Sequence, residues 1–433
     1  MTTSLINSEL DADRMSKRMI KWKIGVKMNV LFMTIAYPKE GENNIYTDLI
    51  QEFVKNGHDL YIACSNERRN NQHTVVNVER NINVLRIRTG NITGQVNIIE
   101  KGISTVSLEK MFIRAINSYF PKIHFDLVLY STPPITFAAT VKYLKKRDKA
   151  KTYLILKDIF PQNAVDMGMI RSNSLLHRYF TWKENKLYTI SDYIGCMSQA
   201  NVDYIVKNNP KVSNDKLEIC PNSISPKLLT RGDIQSIRSK YEIPPNSTTF
   251  IYGGNLGKPQ GIEFVVECLK KNNNKNDRFF IVCGKGKDYS KLEEFCLKEK
   301  PDNIILINGL PKKEYDDLVK ICDVGLIFLD HRFTIPNFPS RILSYMEYGM
   351  PVLASTDCNT DIGKVIKQGS FGWWCESNDS EKYTELIDSI CKNKKLVNEY
   401  GINAKKYLED NYTAEISYNT IIKHFTVFDG GIR

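Results

Sequence analysis

From Met28 onwards short apolar runs alternate with amphipathic stretches, and that rhythm leaves the chain few folds. Residues 28–36 form the first apolar run, and residues 47–56 follow with Leu49, Ile50 and Phe53 on one helical side. Gly57 stops that helix, and residues 58–64 and 83–88 read as strands. Strands at 125–130 and 152–156 flank a helix at 135–146, and strands at 193–197 and 217–220 complete the first set. After a turn-rich break from Pro221 to Pro226, the pattern restarts. Strands at 249–252, 279–283, 304–307, 324–328 and 352–354 alternate with helices at 262–270, 289–298 and 313–320. Strands separated by helices of this length argue for βαβ units and parallel sheets.

The expectation is an α/β chain of two doubly wound, Rossmann-like parallel-sheet domains facing across a cleft. A length of 433 residues exceeds one ordinary core, and 42% hydrophobic residues can fill two. The expected division is a basic extension at 1–27, disordered by its polar composition, and domains at 28–222 and 223–410. A helix and tail at 411–433 should pack back towards the N-terminal domain. Residues 382–425 read as helical, with a strand only at 425–428.

No apolar run approaches the roughly 20 residues that cross a bilayer, and no secretory signal pattern is present. The ten cysteines are scattered without a Cys-x-x-Cys pair. Cys64, Cys283 and Cys322 lie in or beside apolar runs, so reduced thiols and a cytoplasmic setting are expected. The net charge of +11 points to an anionic partner. Because no nucleic-acid-binding signature accompanies it, a membrane surface and phosphorylated substrates rank above nucleic acid. Residues 108–120 offer an amphipathic candidate, with Met111, Phe112, Ala115, Ile116 and Tyr119 at helical spacing beside Lys110 and Arg114. That spacing serves a core-facing helix or an interfacial one; the second would seat the protein on the inner face of the plasma membrane.

Ligands of such sheets bind beyond the carboxyl ends of the strands, so the following loops carry the candidates. Gly41 lies after the first strand, where a turn could approach a phosphate or sugar. Lys157-Asp158 follows the 152–156 strand, the position of acid–base or hydroxyl-binding groups; capping is the alternative for Asp158. Residues 253–261 hold four glycines in nine residues, which lets Gly254 and Asn255 come close to a diphosphate beside the Lys258 charge. Gly284 and Lys285 form a second strand-end turn suited to a nucleobase or ribose. Pro339-Ser340-Arg341 opens a short helix that Gly349 ends, before a buried strand at 351–354. Backbone N–H groups and an arginine at that helix start suit a phosphate. The histidines are isolated and no Asp-x-Asp sits in strand context, so neither a metal site nor another cofactor is expected.

With these motifs in hand, residues 28–425 resemble a GT-B glycosyltransferase of the retaining family 4. The resemblance rests on the first strand with Tyr37-Pro38-Lys39-Glu40-Gly41, on Asn56-Gly57-His58, and on Leu217-Glu218-Ile219-Cys220-Pro221-Asn222-Ser223. In the second half it rests on residues 323–328 and 349–355. A subgroup similar to fucosamine-type transferases of bacterial capsule and O-antigen assembly shares Ser131-Thr132-Pro133-Pro134, residues 157–161 and 254–261, and Pro339-Ser340-Arg341. The two glutamates of the family's donor motif fall on Pro336 and Ser344, leaving Ser344 or Glu347 to hold ribose. The arginine and lysine of its Gly-rich loop fall on Asn255 and Gln260, and its active-site histidine falls on or near Asp158.

The resemblance implies a hexosyl- or N-acetylhexosaminyl-transferase that moves sugar from a UDP-sugar to a lipid-diphosphate-linked glycan acceptor, with retention, in cell-surface polysaccharide biosynthesis. Arg341 and Lys258 would stabilise the departing diphosphate, and Asp158 would orient the acceptor hydroxyl or the sugar. The rival readings are a GT-B nucleotide-sugar epimerase and a non-catalytic partner subunit of a glycosyltransferase.

Overall fold

The computed structural model describes residues 27–94, 96, 98–227 and 234–425. The expected basic extension lies outside these apart from Lys27. So does the strand expected at 425–428 apart from Phe425, which ends the described chain in a turn.

The first sheet contains β1 (Asn29–Thr34), β2 (Asp59–Glu67), β3 (Val75–Glu79), β4 (Ile82–Thr89), β5 (Leu127–Ser131), β6 (Lys151–Leu156), β7 (Tyr193–Cys196) and β8 (Leu217–Ile219). Their order is β3-β4-β2-β1-β5-β6-β7-β8, and only β3 runs antiparallel to its neighbour. The sequence pattern does not reveal β3, because its residues are exposed or half-buried and it is an edge strand held by its ladder to β4. The second sheet contains β9 (Thr248–Asn255), β10 (Arg278–Lys285), β11 (Ile304–Ile307), β12 (Val324–Phe328), β13 (Val352–Thr356) and β14 (Gly372–Glu376). It is parallel throughout, in the order β11-β10-β9-β12-β13-β14. The sixth strand, β14, exceeds the five expected; Trp373 and Trp374 sit half-buried at this edge, so no continuous apolar run announced it.

Both faces of each sheet are covered, as parallel sheets require. Leu31 and Met33 of β1 enter one core, while Val30 and Phe32 enter the other. The helix Ile98–Tyr119 contains the 108–120 candidate except for Phe120. Its Leu108, Phe112, Ala115 and Ile116 are buried in the first domain's core. The interfacial reading of that helix loses most of its stripe: Phe112, Ala115 and Ile116 face protein, Met111 is half-buried against the same core, and Tyr119 stays 44% exposed. Among the described residues no helix is long and apolar enough to cross a membrane. All ten cysteines are free; Cys64 and Cys283 are buried and Cys322 half-buried.

The region after β14 is three helices, Ser380–Lys392, Lys394–Asn411 and Ala414–Ile422, each opened by a side-chain cap from Asp379, Asn393 or Thr413. The last leaves the second domain and packs on the Thr47–Lys55 helix. Its Tyr418, Ile421 and Ile422 join a core with Phe32, Ile50 and Phe53. The chain thus passes between the domains twice, and the passages pair at Ile224 and Thr413.

Candidate functional site

In each sheet the strand order reverses at one point, between β1 and β5 and between β9 and β12. The crevice beyond the carboxyl ends at such a point is where doubly wound sheets bind ligands.

On the second domain this crevice is built around Arg341, the first residue of the short helix Arg341–Glu347. Its guanidinium carbon lies 4.3 Å from the centre of the Tyr252 ring, a cation–π arrangement. The buried Tyr345 hydroxyl stands 3.2 Å from the Ile251 carbonyl and 3.3 Å from that of Leu326. Gly254 has φ +140°, and a Cβ there would fall 2.5 Å from Arg341 Nη2. A Cβ on Gly253 would fall 1.9 Å from the Tyr315 hydroxyl. Both positions must therefore lack a side chain for Arg341 and its tyrosines to keep their places. Arg341 Nη1 is shielded from solvent and meets no acceptor. A guanidinium keeps its charge and presents five N–H donors, and a buried donor left unmet costs free energy. The arrangement can take an anion.

Gly253, Gly254 and Gly284, expected in loops, are instead paired strand ends. β9 and β10 run on through Gly284↔Gly254 and Lys285↔Asn255. A Cβ on Gly284 would fall 1.9 Å from the Gly254 carbonyl oxygen, so only glycine lets the strands close there. Asn255 bonds Gln260 through their side-chain amides, 2.6 Å apart. Lys258 begins the short turn Lys258–Gln260 and is exposed, as is Lys285. Ser340 precedes the Arg341 helix without capping it by its side chain, and Ser344 lies half-buried one turn on. Glu347 sits at the helix's far end, where it accepts from the Lys227 N–H at 3.1 Å; burial pushes its carboxyl up. The structure thus gathers Gly254, Asn255, Ser340 and Arg341, and leaves Glu347 a full helix length away.

Sequence reasoning missed the three tyrosines, since tyrosine in an apolar run reads as core. It also missed Asp330, just beyond β12, which is buried and bonded by Arg332 Nε at 2.8 Å and Nη2 at 2.6 Å. Burial pushes Asp330 up, but the Arg332 bonds outweigh it and hold the carboxyl below its usual range. It lies beside Gly261, whose Cβ would fall 3.4 Å from the Asp330 Cα; a carboxylate just past the apolar run 324–328 was the available signal.

Across the crevice, Lys157 and Asp158 follow β6. Thr132 Oγ1 accepts from both their N–H groups, at 3.0 and 3.2 Å, which ties this loop to the end of β5. Burial pushes Asp158 above the usual carboxylate range and pulls the Lys157 ammonium down to about 8. Lys157 Nζ lies 5.9 Å from the Tyr46 ring centre. Gly41 is exposed with φ +91° and open space around it; it serves the turn, and Arg86 anchors the same loop through the Tyr37 and Pro38 carbonyls. Ile159 and Met167 pack against Leu329, Phe333 and Ile335 of the second domain. The Asp166 carboxylate accepts from the Thr334 N–H at 2.8 Å, clasping the same rim. Among the described residues no three His, Cys, Asp or Glu side chains are placed to hold a metal ion.

Residues 233–407 match the family described as Glycosyl transferases group 1. The chain is 25% identical over 301 residues to the probable glycosyltransferase WbjE of Pseudomonas aeruginosa, covering 67% of this chain and 72% of that one. It is 20% identical over 309 residues to the putative colanic acid biosynthesis glycosyl transferase WcaI of Escherichia coli (strain K12), covering 68% and 74%. The crystal structure of HepE from Anabaena in complex with UDP and glucose superposes with a TM-score of 0.66 at 13% identity, over 92% of this chain and 99% of that one. The fold is GT-B, and together these likenesses support a GT-B glycosyltransferase.

Proposed function

We propose that the protein transfers a hexose or amino sugar from a UDP-sugar to a lipid-diphosphate-linked glycan acceptor, with retention, in the assembly of a cell-surface polysaccharide. The observation that carries this reading is Arg341, whose Nη1 is buried without an acceptor beside a wall reduced to glycine at Gly254. A diphosphate brings acceptors that this buried donor can meet. The UDP and glucose in the HepE complex and the colanic acid role in WcaI's name give the donor and pathway class their support.

In this reading Arg341 and Lys258 stabilise the charge that develops on the departing diphosphate. Gly254 and Asn255 bring backbone and amide donors, Lys285 and Gly284 line the nucleoside, and Ser344 contacts ribose. Asp158 orients the acceptor hydroxyl or the sugar. The acceptor oxygen bonds the anomeric carbon as the anomeric carbon–phosphate oxygen bond breaks, and the acceptor proton passes to the released phosphate oxygen. The protein therefore needs to supply no general base, and Arg341 and Lys258 take the charge-stabilising part.

Calorimetry with UDP, paired with a mass-spectrometric screen of UDP-sugars against membrane extract, tests the proposal. UDP should bind, and Arg341→Met should weaken it by about a hundredfold, as losing a charge-assisted bidentate contact does. No UDP binding at millimolar concentration and no sugar transfer would sink it. Pro336 and Ser344, standing where the resemblance places glutamates, favour one second reading: a partner subunit that keeps the fold without turnover. Absence of nucleotide binding selects that reading.

A further inference from the structure

The helix Leu175–Ile190 buries Glu184, Leu187 and Tyr188 and turns its other side outward. Leu175 is 85% exposed, Leu176 48% and Trp182 49%, and Met169, on the turn before, is 61% exposed. Leu175, Arg178, Trp182 and Lys186 recur at helical spacing on that outer side, with all four exposed. Large apolar side chains standing this far out together are unusual on a water-facing surface.

The exposed charges along this stretch of chain have one sign. Between Met167 and Tyr188 the only acidic residue is Glu184, and it is buried. Arg171, Arg178 and Lys186 are exposed, while Lys183 pairs with Glu109 at 2.5 Å. The Lys186 ammonium lies 3.7 Å from the centre of a Trp182 ring, so tryptophan and cation share one spot. Exposed leucine, methionine and tryptophan ringed by arginine and lysine fit the boundary between lipid headgroups and acyl chains.

The patch has a defined place relative to the crevice. Met169 is two residues beyond Met167, which packs with Ile159 and with Leu329 of the second domain. Ile159 is the neighbour of Asp158.

We propose that the Met169–Lys186 surface docks on an anionic lipid bilayer, presenting the Asp158 rim of the crevice to membrane-anchored acceptors. The choice of acceptor rests on the transfer reading above; the docking itself does not. Leu175 and Leu176 enter the headgroup boundary, and Arg171, Arg178 and Lys186 meet lipid phosphates. The Ile98–Tyr119 helix, whose Phe112, Ala115 and Ile116 are packed in the core, takes no part through those residues.

Flotation of the full chain with vesicles tests this, using phosphatidylcholine alone and with about 30 mol % phosphatidylglycerol, enough to give a strongly negative surface. The protein should float only with the anionic vesicles. Leu175→Ser with Leu176→Ser should lower the partition coefficient by about tenfold or more, and Arg171→Glu or Arg178→Glu by at least about fivefold each. Leu297→Ser and Ile402→Ser, at exposed positions of the second domain, should change nothing. Binding that ignores lipid charge, or that survives the leucine pair, overturns the proposal. So does concentration-dependent self-association that the leucine pair abolishes in a protein that does not float, because a second copy then covers the patch. Vesicle binding with no UDP binding leaves docking standing and overturns the transfer reading alone.

Discussion

The Tyr252 ring lies beneath the Arg341 guanidinium, 4.3 Å from its central carbon, while the Tyr252 hydroxyl donates to the Asn255 carbonyl at 2.6 Å. One side chain therefore aims the cation and pins the end of β9. Tyr252→Leu removes both, and should weaken UDP about tenfold, the sum of a cation–π contact and part of a hydrogen bond. Tyr252→Phe keeps the ring and should fall between. Calorimetric affinities that do not follow this order contradict the aiming role.

Gly254→Ala adds a methyl 2.5 Å from Arg341 Nη2 at a φ of +140°. Strain and displacement together should cost about 1–3 kcal/mol of stability. The thermal midpoint should drop by several degrees, and UDP binding should fall with it. Unchanged stability would mean that the β9 end relaxes freely.

Burial pushes Glu184 up to about 8, against the lowering effect of its bond from Tyr188. The folded state therefore holds a proton that the unfolded chain releases near an ordinary carboxylate value. Between about pH 4.5 and 8 the unfolded state binds fewer protons, so stability falls as pH rises, by on the order of 3 kcal/mol up to neutrality. Glu184→Gln should raise the thermal midpoint at pH 8 and leave it nearly unchanged at pH 4.5. Parallel melting curves of wild type and variant across that range would refute the shift.

His58 Nδ1 takes the Met28 N–H at 3.3 Å, so its proton sits on Nε2 and donates to the Tyr418 hydroxyl 2.9 Å away. Burial holds His58 below its usual value, with Asp59 opposing weakly. The unfolded chain is protonated first as pH falls, so this contribution is present above about pH 6.5 and is lost in acid. Amide exchange in Ala414–Ile422, corrected for intrinsic rate, should speed up between pH 7 and 5. His58→Asn should flatten that dependence.

Much of this was legible in the chain. The apolar runs of β5, β6, β12 and β13 are fully or nearly fully buried, so hydrophobicity alone marked them. β3 and β14 escaped because edge strands are specified by backbone pairing, which leaves little trace in side-chain type. Arg341 and Gly254 could be nominated separately from helix-start and glycine patterns. That each occupies the space the other leaves depends on Tyr252, Tyr315 and Tyr345, whose convergence is a property of packing. The outward face of Leu175–Ile190 was hidden for a related reason: periodicity shows that a helix has an apolar side, but not whether protein covers it.

The return of Ala414–Ile422 onto the Thr47–Lys55 helix makes the first half of the polypeptide an incomplete folding unit. Its interior receives Tyr418, Ile421 and Ile422 from roughly two hundred positions downstream, so synthesis must reach the last helix before that hydrophobic surface can be sealed. A fragment ending at the first interdomain passage would carry an open wound, and the two lobes are best regarded as partners in folding as well as in binding.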